Sequence, residues 1–444
     1  MKKVKILITY GPSLEEEKVL EKTLKIVDGV RFNFSHTTDE GLKKGVLAIR
    51  KIEKKLGKYI TLLADTKGFE LRTSNKKPIE IKSSVVLNLI KDIGVNHPAA
   101  LKKIKKGQLV LIDDGKIKAR VIDDNFNIKF IKGGTILLKR KINLPNLTIE
   151  EKSLRRENLR DFKKIAQYRF DIVALSFVRS GKDIEEARKI FSKYKYFPRV
   201  IAKIEHGLAV KNKEKIIEKS DGVMMARGDL ALEVSFEKVP ILQKKIVEMT
   251  KKENKLAIIA TQMLESMIES LMPTRAEISD VANAVLDGAD CLMLSAETSI
   301  GKYPLESIKT MEKIITATEK ELEIKKFDLD LKDPKNLIIK NSIEISEKLS
   351  IPILAPTFFG ETPFKLSSLK PKNLIYAVSR NLDTLRYLNL FFGIKPVLFK
   401  EKGFLINKLE KTKEELGLRK CLLVFKYPSN KKKNIVTFSI SLAF

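Results

Sequence analysis

The chain has 444 residues, 43% of them hydrophobic, which supplies core for two or three domains and excludes general disorder. The formal charge is +30, from 86 Lys and Arg against 56 Asp and Glu, but the lysines are dispersed over helical stretches such as Lys43-Lys44 and Lys244-Lys245, which argues against a nucleic-acid stripe. No run is long and apolar enough to span a bilayer, and Cys291 and Cys421 are too few for a disulfide framework, so a soluble, cytoplasmic protein with no nucleic-acid or membrane partner is expected.

Short β-rich runs fall at residues 4–9, 30–34, 60–65, 172–177, 200–205, 222–226, 256–261 and 291–295. Between most of them lie charged stretches with apolar residues at helical spacing, as at 184–191 and 239–249. Repeated β-α alternation calls for a parallel sheet covered by helices. Eight such units predict an α/β fold, a (β/α)8 TIM barrel, whose functional residues gather at the C-terminal strand ends. The rhythm breaks at 73–147, where an Asp114-Gly115 turn inside 107–122 signals a hairpin and Gly133-Gly134 marks another turn. This segment reads as a small β-barrel lid domain inserted after the third strand, splitting the barrel domain into 1–72 and 148–325. A C-terminal α/β domain occupies 326–444, with a helix near 339–349 and strands near 353–356, 374–379, 421–425 and 435–440.

The stretch Arg199-Val200-Ile201-Ala202-Lys203-Ile204-Glu205 organises the chain. On a strand, residues two apart share a face, so Lys203 and Glu205 point the same way. Alone they read as a salt bridge. The next run ends in Gly228-Asp229, and the other strand ends carry Arg31, Asn33, Ser35, His36, Asp65, Thr66, Ser176, Arg179 and Thr261. A strand-borne lysine with carboxylates from neighbouring strand ends suits a divalent metal and a phosphoryl group. Taken singly, Asn33, Ser35 and Thr261 read as capping or turn residues and His36 as a surface histidine. Cys291, Met263, Met267 and Met272 read as core.

The motifs Arg31-Phe32-Asn33-Phe34-Ser35-His36, Asp65-Thr66-Lys67-Gly68, Ala202-Lys203-Ile204-Glu205, Ala226-Arg227-Gly228-Asp229 and Ala260-Thr261-Gln262-Met263 stand in one order, within a match that covers almost the whole chain and is most specific between Asp171 and Pro304. Together they resemble the pyruvate kinase family. The resemblance implies a barrel with an inserted lid and a C-terminal regulatory domain, transferring phosphate from phosphoenolpyruvate to ADP. It implies Mg2+ (or Mn2+) on Glu205 and Asp229, Lys203 beside the transferring phosphoryl group, and Arg31 on the phosphate. Gly228 and Asp229 would hold the substrate carboxylate, and Thr261 would bind substrate and help pass a proton. Asn33, Ser35, Asp65 and Thr66 resemble the K+ site, with Glu70 the residue that goes with K+ dependence. Asn33, His36, Arg72 and Lys141 resemble nucleotide contacts, and a homotetramer is implied.

Three departures stand out. In Lys139-Arg140-Lys141-Ile142-Asn143 the family's usual glycine is either missing or replaced by Lys141, so the nucleotide lysine is Lys141 or its neighbour. Glu157-Asn158 replaces the usual lysine-aspartate near the lid hinge. The loop at 357–363 carries Phe358, Phe359 and Glu361, which disfavour fructose 1,6-bisphosphate as an activator there. Two rival readings remain: a barrel enzyme of Mg2+-dependent enolate carbon–carbon chemistry, and a catalytically dead scaffold or nucleic-acid binder. Lys203 argues against the first and the intact strand ends against the second.

Overall fold

Eight strands close into a parallel barrel in a computed structural model that describes residues 2–68, 70–145, 147, 151–327, 332–400, 406–426 and 438–443. They are β1 (Lys5–Thr9), β2 (Gly29–Asn33), β3 (Thr61–Asp65), β4 (Ile172–Leu175), β5 (Arg199–Ile204), β6 (Gly222–Ala226), β7 (Leu256–Ala260) and β8 (Cys291–Met293). Each strand pairs with its sequence neighbours, and β8 closes on β1. Parallel strands covered by helices are buried on both faces, which is why they read as continuous apolar runs.

The period-two alternation divides the core. Ile6, Ile8, Leu62, Ala64, Val173, Val200, Ala202 and Ile259 pack outward against the helices. Leu7, Leu63, Ala174, Ile201, Met224, Ile258 and Cys291 point inward, in one cluster with Ile339, Leu388, Leu390 and Phe391 of the C-terminal segment. The C-terminal segment therefore closes the barrel's N-terminal end. Following the inward positions toward the other end, Leu7 gives way to Thr9, Leu63 to Asp65, Ala174 to Ser176, and Ile201 to Lys203 and then Glu205. One face of each strand is apolar at the bottom and polar at the mouth.

The segment between β3 and β4 forms a six-stranded antiparallel sheet and a separate two-stranded one. Leu109–Ile112 and Ile117–Val121 make the hairpin expected around Asp114-Gly115, with Asp113, Asp114 and Gly115 all at positive φ. The turn expected at Gly133-Gly134 does not form. The chain runs from the strand Asn127–Lys132 into Gly134–Ile136, which pairs with Ile79–Ile81 in the other sheet. Glycine is needed there for contact, since a Cβ on Gly133 would sit 2.1 Å from the Ile81 carbonyl oxygen.

The C-terminal segment carries a five-stranded sheet. Ile353–Pro356, Ile375–Ser379 and Cys421–Lys426 agree with expectation, and Phe438–Ala443 pairs antiparallel at one edge. Residues 435–437 of the expected last strand, and the side chains of Glu157 and Asn158, lie outside the described residues. Of the methionines expected in the core, Met263 and Met267 are fully buried, whereas Met272 is exposed in the loop before the helix Arg275–Leu286.

Candidate active site

Arg31, on β2, is buried at the mouth. Its Nε and Nη2 donate to Asp65 Oδ2 at 2.8 and 2.7 Å, and Nη1 donates to Thr9 Oγ1 at 3.0 Å. Asp65 ends β3. Its other oxygen lies 3.1 Å from Lys203 Nζ and accepts from Ser176 Oγ at 3.2 Å. Lys203 donates to Ser176 Oγ at 2.9 Å and stands 3.0 Å from Glu205 Oε2. The shared face expected of Lys203 and Glu205 is thus what brings their charges together.

Glu205 Oε1 accepts from the Phe177 amide at 2.8 Å, while Oε2 is buried and receives no aligned hydrogen bond. Burial raises the Glu205 pKa, with Lys203 opposing. Burial alone would push the Lys203 ammonium down. Asp65, Glu205 and Asp229 outweigh it and hold the ammonium well above its ordinary value. Asp65 is driven upward by burial and, more strongly in sum, downward by Lys203 and Arg31. The site therefore keeps a lysine cation against carboxylates in a dry setting, where such charges interact strongly.

Asp229 stands in the first turn of the helix Arg227–Glu233, which follows β6. Its Oδ1 accepts from Lys141 Nζ of the inserted sheet. Burial raises the Asp229 pKa, and Lys141 and Lys203 reverse the shift to a net lowering. Thr261 and Gln262, just past β7, adopt left-handed backbone at φ 70° and 54°. For a β-branched residue this is strained. Thr261 Oγ1 accepts from the Gly228 amide at 2.9 Å. A Cβ on Gly228 would meet nothing closer than Thr261 Oγ1 at 3.6 Å, so no protein atom demands glycine and the space in front of it is open.

A cavity of about 280 Å³ at the mouth is walled by Arg31, Lys203, Glu205 and Asp229, by Asn33, Ser35, Asp65 and Thr66, and by His36, Glu70 and Arg72. Lid residues Asp113, Asp114, Arg140 and Lys141 close its other side. Thr261 and Gly228 meet each other beside Asp229 and are not among its walls. Asn33 Oδ1 accepts from the Ser35 amide at 3.1 Å, and Thr66 Oγ1 from the Ser176 amide at 3.1 Å. Glu70 pairs with Arg72 at 2.5 Å.

Arg227 stands within the Ala226-Arg227-Gly228-Asp229 motif, and the sequence alone gives it no task. It is buried, donates to the carbonyls of Thr261 and Gln262 at 2.9 Å, and pairs with Asp280 at 2.7 Å. The available signal was an arginine directly after the apolar run of β6, where a solvated residue has no place.

The fold and this mouth define a class: barrel enzymes that keep buried cations and carboxylates at the C-terminal strand ends, beneath an inserted domain. The description "Pyruvate kinase, barrel domain" matches residues 1–308, and "Pyruvate kinase, alpha/beta domain" matches 336–437. The chain is 37% identical over 446 residues to a pyruvate kinase of Methanocaldococcus jannaschii, covering 98% of this chain and 97% of that one. It is 35% identical over 439 residues to a pyruvate kinase of Thermotoga maritima, covering 94% of each. The crystal structure of pyruvate kinase from Pyrobaculum aerophilum superimposes with a TM-score of 0.89 at 26% identity, covering 99% of both chains. The chain belongs to the pyruvate kinase family. It is an enzyme, a phosphotransferase that carries the phosphoryl group of phosphoenolpyruvate to ADP and yields pyruvate and ATP, the last step of glycolysis. The family works with a divalent metal ion. Among the described residues, no helix is long and apolar enough to cross a membrane.

Proposed function

We propose that the cavity at the barrel mouth is where phosphoryl transfer occurs, with Mg2+ (or Mn2+) and K+ as its ions. The observation that carries this reading is Lys203, a buried ammonium within 3.1 Å of both Asp65 and Glu205, next to a Glu205 oxygen with no aligned hydrogen bond. Glu205 and Asp229 supply hard oxygens that suit a divalent cation. Among the described residues no group of three or more His, Cys, Asp or Glu gathers as a complete metal cage. Two carboxylates suit an ion whose remaining positions go to substrate oxygens. When bound, such an ion supplies charge neutralisation to the substrate's carboxylate and enolate oxygens.

The chain's own residues carry the rest. Arg31 binds the phosphate with its planar fork. Lys203 offsets charge on the phosphoryl group while its bond to the enol oxygen breaks and a bond to the terminal ADP oxygen forms. The open space before Gly228 admits the substrate carboxylate, and Asp229 opens the turn behind it. The enolate carbon then takes a proton relayed from the Thr261 side through water. Asn33, Ser35, Asp65 and Thr66 offer oxygens for K+, and Glu70 accompanies them. Asn33, His36 and Arg72 contact the nucleotide. Arg140 and Lys141 both line the cavity; because the Lys141 ammonium is already held by Asp229, we assign the nucleotide contact to its neighbour Arg140 in place of Lys141. A cytoplasmic homotetramer completes the reading.

The deciding assay is pyruvate formation from phosphoenolpyruvate and ADP with Mg2+, with and without K+. Turnover should require both ions and fall away in Lys203→Met. A wild type without turnover, or a Lys203→Met variant that keeps it, would overturn the assignment.

A further inference from the structure

Lys141 lies in the lid strand Lys141–Asn143, which pairs antiparallel with Leu71–Arg72 and with Leu109–Ile112. Its side chain is only 16% exposed, and its ammonium is spent on Asp229. Around the cavity each inward carboxylate thus has its own cation: Arg31 for Asp65, Lys203 for Glu205, and Lys141 for Asp229. The nearby pairs Glu70–Arg72 and Asp113–Arg140 are neutral as well. The two carboxylates that would hold a divalent ion therefore each already face an ammonium, Glu205 that of Lys203 and Asp229 that of Lys141. Like charges repel strongly at such range in a dry site. An incoming substrate with a phosphate and a carboxylate reverses the balance.

We propose that Lys141 is a lid-borne counter-ion on Asp229 that holds off a lone divalent cation and makes its binding depend on the anionic substrate. The proposal rests on the reading of Glu205 and Asp229 as metal ligands. Lys141 is a positioning residue in this scheme: it touches a ligand of the metal and acts through it. The same ion pair ties the inserted sheet to the barrel, so metal entry and release of the lid strand from Asp229 are one event. By linkage, whatever affinity Lys141 withholds from the free metal returns as tightening when the substrate is present.

The test uses the full chain and Mn2+ as the probe, followed by electron paramagnetic resonance of free Mn2+ at fixed ionic strength. Titrations run with and without phosphoenolpyruvate and without ADP, so no turnover intrudes. Lys141→Gln and Lys141→Met should bind Mn2+ alone about tenfold or more tightly than wild type, within the usual range of coupling energies. Their further tightening by phosphoenolpyruvate should shrink by the same factor. Lys141→Arg, which keeps the charge, should behave as wild type. Unchanged or weaker Mn2+ binding in both neutral variants, with binding abolished in Glu205→Gln, would overturn the role of Lys141 and leave the metal assignment standing. Mn2+ binding that survives both Glu205→Gln and Asp229→Asn would overturn the metal assignment, and the role of Lys141 with it.

Discussion

Two buried clusters of lysine and carboxylate stand at opposite ends of the barrel. At the mouth, Lys203 bridges Asp65 and Glu205. At the bottom, Asp290, just before β8, accepts from Lys251 and from Lys370 of the C-terminal segment, each at 2.6 Å, and from the Ala257 amide at 3.0 Å. All three side chains of the bottom cluster are fully buried. Lys251 also donates to the Lys255 carbonyl, and Lys370 faces the Phe392 ring at 4.5 Å. The bottom cluster is complete: donors, acceptors and aromatic faces fill it. The mouth leaves a buried carboxylate oxygen without an aligned donor and opens onto a cavity. Burial and pairing are common to both, so neither marks chemistry. Unfinished coordination beside open space does.

The comparison breaks most sharply at Lys203. Lys203→Met should lower the kcat of the folded molecules by about 10³-fold or more, the scale of losing a cation from a phosphoryl-transfer site. Steady-state rates beside urea melts separate loss of rate from loss of folding. Asp290→Asn should act on stability instead. It leaves two buried lysines facing a neutral amide, which costs about 3–5 kcal/mol of stability by urea denaturation, with rate per folded molecule preserved.

Next in size is a pH effect confined to the bottom cluster. Burial lowers the Lys370 pKa to about 7 from 10.5, against the pull of Asp290. Between those values the unfolded chain holds a proton that the folded chain has released. The contribution of Lys370 to stability is therefore poorest below pH 7 and rises with pH through the window, by about 1.4 kcal/mol per pH unit at most. Lys370→Met should flatten that rise relative to wild type. The gentlest change is at the mouth, where Glu70→Lys should loosen the K+ requirement; an unchanged activation ratio would count against the K+ ligands. Fructose 1,6-bisphosphate should leave the response to phosphoenolpyruvate unmoved, given the exposed Phe358 and Phe359 in the loop after Ile353–Pro356.

The barrel was legible because its strands are buried on both faces and its helices on one, and those patterns survive in a single sequence. The spacing of Lys203 and Glu205 was legible for a related reason: a strand fixes which residues share a face. The C-terminal sheet was harder. Its strand Ile394–Leu398 carries no clear strand signal because it lies at a sheet edge and contains Lys395 and Pro396, a composition tolerated only where one side needs no partner. Gly133-Gly134 signals a turn by local chemistry, whereas a tertiary approach of the Ile81 carbonyl decides its use. Lys141 on Asp229 joins residues 88 apart in sequence across two domains, and no local pattern encodes that pair.

The left-handed turn at Thr261 carries a consequence beyond the mouth. A strained backbone of this kind costs about 1–3 kcal/mol and persists only where its surroundings insist on it. Here the insistence comes from Arg227, whose guanidinium clasps the carbonyls of Thr261 and Gln262 and is itself anchored by Asp280 on an outer helix. Asp280 is partly open to solvent. The aim of the Thr261 hydroxyl is thus set from the barrel's outer surface, through a single rigid lever of one arginine.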